Sequence, residues 1–94
     1  CCTTPARMFG LYPRKGVIGG ASDTDIVGWD PNGTRTISSK TQFAKGGFNV
    51  FEGRTVRGIP THTVHAGKLV FERGELRAEE GAGRHVERPA FAPL

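Results

Sequence analysis

The run Ser22-Asp23-Thr24-Asp25-Ile26-Val27-Gly28-Trp29-Asp30-Pro31 constrains the fold more than any other stretch of the chain. Polar turn residues lead into a short strand, Ile26 to Trp29, which Asp30-Pro31 is expected to stop because proline cannot donate to a ladder. Side chains alternate across a strand. Here both sets are apolar: Ile26 falls on one face, Val27 and Trp29 on the other. A strand of this kind needs cover on both sides, as it would have inside a sandwich. Gly28, in its interior, is a soft point in that packing rather than a site.

The chain is poorly supplied with side chains to provide that cover. Of 94 residues, 21 are Leu, Ile, Val or Phe and 14 are Gly, about twice the average glycine usage. Glycine makes turns and bulges but buries nothing. Ordering a chain this long costs on the order of 140 kcal/mol, which 21 large apolar side chains and one Trp offset only marginally. The segment is therefore expected to depend on a partner surface.

The net charge of +4 comes from 13 Lys and Arg scattered among nine acids. With no basic run, this reads as a solvated mixed-charge surface and not as a nucleic-acid footprint. No stretch approaches the ~18 apolar residues of a membrane span, and no signal peptide opens the chain. With no initiator Met before Cys1, the chain reads as a processed product or as a stretch starting inside a longer protein. The only cysteines, Cys1 and Cys2, are adjacent and poorly placed to bridge each other. The lack of a disulfide framework fits a reducing cytoplasm.

Along the chain, Thr4 is expected to cap a short helix with Pro5 at its first position. That helix runs through Ala6-Arg7-Met8-Phe9, puts Met8 and Phe9 against a core, and stops at Gly10. Lys15 to Gly20 reads as a turn and weak strand, Thr34 to Ser38 as a second short strand, and Lys40 to Gly47 as a loose loop. From Phe48 a meander follows. Pro60 marks an edge or bulge, and Leu69 to Glu72 pairs back across His65-Ala66-Gly67-Lys68. At Arg73-Gly74 a bulged loop is expected rather than a tight turn, because Arg resists φ > 0. Beyond Ala78 the chain has no period and reads as an extended tail with apolar anchors at Val86, Phe91 and Leu94.

Few residues invite chemistry. His62 and His65 stand three apart, and on a strand such residues point to opposite faces. Two ligands also fall short of the three or four that zinc needs. Asp23 and Asp25 share a face of an extended chain and suit acid–base work, yet Asp23 sits in a turn, where its side chain bonds local backbone. Cys1 and Cys2 have no base at a defined spacing. Gly16 to Gly20 lacks the spacing and Lys of a phosphate loop.

Four stretches carry a family likeness: Thr4-Pro5-Ala6-Arg7-Met8-Phe9-Gly10-Leu11-Tyr12-Pro13-Arg14-Lys15-Gly16, the Ser22 to Pro31 run, Asn49-Val50-Phe51-Glu52-Gly53, and Val56-Arg57-Gly58-Ile59-Pro60. In this order the chain resembles the C-terminal part of the dihydropyrimidinase/hydantoinase branch of the metal-dependent cyclic amidohydrolases, from about Thr3 to Leu94. The resemblance implies a mainly β fragment: the C-terminal part of a small β-sandwich plus one short N-terminal helix, with a (β/α)8 barrel upstream. Residues 1–13 would end the barrel domain as its last helix, 14–78 would supply sandwich strands, and 79–94 would form an extended C-terminal tail for subunit contacts. In the family, two zinc ions held by histidines, a carboxylated lysine and an aspartate drive hydrolytic ring opening of cyclic amides such as dihydropyrimidines or hydantoins. The ligand set, His-x-His included, is absent from residues 1–94. No catalytic, cofactor or metal position carries over, and these residues are expected to be inactive alone.

The role the resemblance implies is structural and oligomerising. Arg84, Arg88, Phe91 and Leu94 are the candidate subunit-contact residues. The implied partners are the upstream barrel, its N-terminal strands and further copies of the protein, a tetramer in the family. Neither nucleic acid nor membrane is implied, and the cytoplasm is the implied location. The alternative is the equivalent segment of a non-catalytic dihydropyrimidinase-like scaffold protein. The ending Phe91-Ala92-Pro93-Leu94, without a long basic Ser/Thr-rich extension, favours the enzyme branch.

Overall fold

The structure, a computed structural model, describes residues 1–90. Phe91 and Leu94 lie outside the described residues. A short helix, α1 (Thr3–Met8), precedes four strands: β1 (Ile26–Thr36), β2 (Thr55–His65), β3 (Lys68–Glu72) and β4 (Glu75–Leu76). They form one antiparallel sheet in chain order, β1-β2-β3-β4. The mainly β expectation with one short helix is met, as a single sheet among the described residues.

Helix α1 begins two residues earlier than the sequence predicts. Cys2 is its N-cap and contributes no side-chain cap bond, so Thr4 is not the cap. Pro5 falls at the third helical position, where its missing N–H still costs nothing because first-turn donors have no helical partner. Gly10 (φ 70°) turns the chain away after Phe9. The predicted core contacts are corrected as well. Met8 and Phe9 are exposed, and the buried residue is Ala6, at 5% exposure.

Ala6 is buried by the loop after the helix. The Thr3 hydroxyl donates to the Gly16 carbonyl at 2.6 Å, and Gly16 (φ +85°) lies so close that a Cβ there would sit 2.5 Å from Ala6 Cβ and 2.9 Å from the Cys2 carbonyl oxygen. Neither obstacle is a flexible side-chain tip. Gly16→Ala is expected to lower stability by about 2–3 kcal/mol, from overpacking and a strained φ together; a urea titration of the complete polypeptide checks it. The weak strand expected over Lys15 to Gly20 does not form. The loop folds on itself instead: Ser22 Oγ donates to the Pro13 carbonyl at 2.7 Å, and the Asp23 amide to the Arg14 carbonyl at 2.9 Å.

Strand β1 does not stop at Asp30-Pro31. Its register against β2 shifts between Asp30 and Thr34, so Pro31 falls in a bulge, where its missing N–H removes no ladder bond. Asp30 Oδ1 accepts the Asn32 amide at 2.9 Å within the bulge. The ladder then resumes as Thr34↔Arg57, Arg35↔Val56 and Thr36↔Thr55. The two short strands expected here are one bulged strand. Pro60 also sits at a register shift, opposite Trp29, and the β3 pairing reaches along β2 only as far as His62.

The β2–β3 and β3–β4 hairpins each close through two residues with φ > 0: Ala66 (49°) with Gly67 (79°), and Arg73 (45°) with Gly74 (88°). The bulged loop expected at Arg73 is therefore corrected to a tight turn of the primed kind. Glu72↔Glu75 pairing closes it, and the Arg73 amide donates to the Thr61 carbonyl at 2.7 Å, which holds Arg in a conformation it disfavours. Arg73→Asn is expected to raise stability by about 0.5–1 kcal/mol, since Asn enters the left-handed region more readily; the shift in thermal midpoint of the complete polypeptide measures it.

Candidate functional site

The densest polar arrangement joins the loop before β1 to the β2–β3 turn. Asp25 Oδ1 accepts the Ala66 amide at 2.9 Å and lies 3.2 Å from His65 Nδ1. Its other oxygen pairs with the Lys15 ammonium. Lys15 also reaches Asp23 Oδ2 at 3.0 Å, and Arg14 Nε donates to that same oxygen at 3.1 Å. The Gly67 amide donates to the Thr24 carbonyl at 3.0 Å. Residues Asp23 to Asp25 thus lie across the turn, bonded on one side to the loop that carries α1 and on the other to the hairpin.

The charges respond to this. Hydrogen bonding to Lys15 holds the Asp23 carboxyl below the usual carboxylate range, with Arg14 adding to it. The Asp25 carboxyl is lowered first by the Ala66 amide and then by Lys15. Lys15 is raised, chiefly by its bond to Asp25. Carboxylates with depressed folded values stabilise the fold above about pH 4 and lose that contribution as pH falls through the folded value. Lys15, raised, contributes below about pH 10 and loses its share as pH rises beyond that. Asp25→Asn is expected to cost about 1 kcal/mol at pH 7. The difference from the unsubstituted protein should shrink as pH falls below about 4 and through the lowered folded value of Asp25, as urea midpoints of the complete polypeptide against pH would show.

Both carboxylates of this junction are already bonded to cations, so the arrangement works as a strut. The sequence marks the pair Asp23 and Asp25, but the expected bond from Asp23 to local backbone is corrected: its carboxylate takes the Arg14 and Lys15 side chains, and Asp25 bonds the backbone of the distant β2–β3 turn instead. What sequence reasoning missed is their shared partner, Lys15. Its signal is the run Arg14-Lys15 placed ahead of two alternating acids, but only the fold brings them together.

The two histidines go to different carboxylates. His62 Nδ1 lies 3.0 Å from Thr61 Oγ1, and its Nε2 lies 3.8 Å from Glu72. Glu72 is bonded in turn by Arg77 at 3.0 Å. His65 belongs to the Asp25 junction. Among the described residues, no three His, Cys, Asp or Glu side chains converge on one point. Cys1 and Cys2 are free and exposed.

The candidate contact residues of the tail are dispersed. Arg84 and Val86 line a cleft of about 610 Å³ between residues 79–86 and the β2–β3 hairpin, facing Lys68, Leu69 and Val70. The Arg88 guanidinium stacks 5.8 Å from the centroid of the Phe9 ring, just past the end of α1, a cation–π contact within the chain.

Strand β1 lies at the edge of the sheet and keeps little of its apolar surface from water. Trp29 is 62% exposed, and Ile26 and Val27 are exposed too. Further along, Phe48 and Val50 are more than three-quarters exposed, as is Ile18 in the first loop. No helix among the described residues is long and apolar enough to cross a membrane.

No family model matches the chain. Individual proteins do. The dihydropyrimidinase of Rattus norvegicus is 46% identical over 90 residues, which cover 96% of this chain and 17% of that protein. The dihydropyrimidinase-related protein 5 of Homo sapiens is 43% identical over 89 residues, covering 95% of this chain and 15% of that protein. Among solved structures, the dihydropyrimidinase of Brevibacillus agri superposes with a TM-score of 0.91 at 39% identity, covering 98% of this chain and 20% of its own. The chain thus spans a fifth or less of the length of these relatives, and over that length its sequence and its fold agree on one lineage. It belongs to the dihydropyrimidinase/hydantoinase family.

Proposed function

We propose that these residues are the C-terminal sandwich and assembly segment of a zinc-dependent cyclic amidohydrolase. The observation that carries the reading is a strand, β1, whose Ile26, Val27 and Trp29 are exposed in a chain matching about a fifth of a dihydropyrimidinase structure. Residues 1–13 end the barrel domain, 14–78 supply sandwich strands, and 79–94 reach a neighbouring subunit. The rest of the polypeptide covers the faces left open here, in a cytoplasmic homo-oligomer. Residues 1–90 do not fit the zinc pair, since His62 and His65 turn to separate carboxylates. The ring-opening chemistry therefore belongs to residues outside this stretch, and what Asp25, Lys15 and His65 do is hold the sheet against the loop that carries α1.

The 43% identity to dihydropyrimidinase-related protein 5 supports a second reading, the equivalent segment of a non-catalytic scaffold. Hydrolysis of dihydrouracil and hydantoin by the complete polypeptide, with zinc measured alongside, separates the two. Turnover with bound zinc supports the enzyme, and a folded oligomer with neither supports the scaffold. The 94 residues alone are expected to show no turnover and no stoichiometric zinc. Tight stoichiometric zinc in that segment would overturn the structural role.

A further inference from the structure

We draw no further inference here: the strongest candidate, the cleft between residues 79–86 and the β2–β3 hairpin, has Arg14, Lys15 and Arg77 already paired with carboxylates, leaves only Lys68 and Arg84 against Glu79, and nothing in the structure shows what covers it.

Discussion

Purified by itself, the 94-residue chain is expected to self-associate and to unfold without a cooperative transition. A compact monomer of 10.1 kDa would expose roughly 5,300 Å², whereas this chain exposes 7809 Å². Its radius of gyration is 15.9 Å, against about 12.4 Å for a compact domain of this length. If a little over half of the excess surface is apolar, the missing burial corresponds to roughly 35 kcal/mol. That exceeds the ~5–15 kcal/mol by which whole domains are stable, so no local improvement makes the segment self-sufficient. The outer edge of β1 adds a second hazard, because unpaired strand edges recruit other chains. Sedimentation should show a concentration-dependent distribution of species, and amide NMR signals should be broad or poorly dispersed. A monodisperse monomer with sharp, dispersed signals would mean that the sheet holds itself together.

How much of this was legible follows from where each signal sits. The Ile26 to Trp29 strand, the Gly10 stop and the hairpin across Ala66-Gly67 are local patterns, and each is in place. The errors also have local causes. Asp30-Pro31 reads as a terminator, but a bulge takes the proline out of the ladder, and bulges depend on what the partner strand offers. Here that is Ile59, whose Cγ1 would lie 2.5 Å from a Cβ at position 33, so Gly33 is what lets the bulge close against it. Arg73 reads as hostile to a tight turn, yet the pairing of Glu72 with Glu75 and the bond to Thr61 impose one. The Asp25 junction joins residues 40 apart in sequence, from Asp25 to His65, and no spacing rule reaches that far. Met8 and Phe9 mark the remaining limit. Both are apolar, but the surface they would pack against is not supplied by these residues.

In the complete polypeptide, Trp29→Asp is expected to be the most damaging single substitution on this sheet. Trp29 pairs with Pro60 at the register shift of the β1–β2 ladder and stands 62% exposed in these residues alone. If the rest of the polypeptide covers β1, as proposed, truncating a covered Trp costs about 3–5 kcal/mol. Burying an unpaired carboxylate in its place adds a further desolvation penalty. The expected result is loss of soluble oligomer or a fall of at least 10 °C in the thermal midpoint. Trp29→Phe should recover most of the loss because it restores a large ring. Lys40→Ala, an exposed change in the 3-10 turn Ser39–Thr41, serves as the control and should shift stability by less than about 0.5 kcal/mol. The comparison separates a covered strand from one that faces water, where an exposed Trp contributes little and Asp costs no more than the control. Equal midpoints for Trp29→Asp and Lys40→Ala would therefore refute the covered-sheet reading, whatever the protein's activity proves to be.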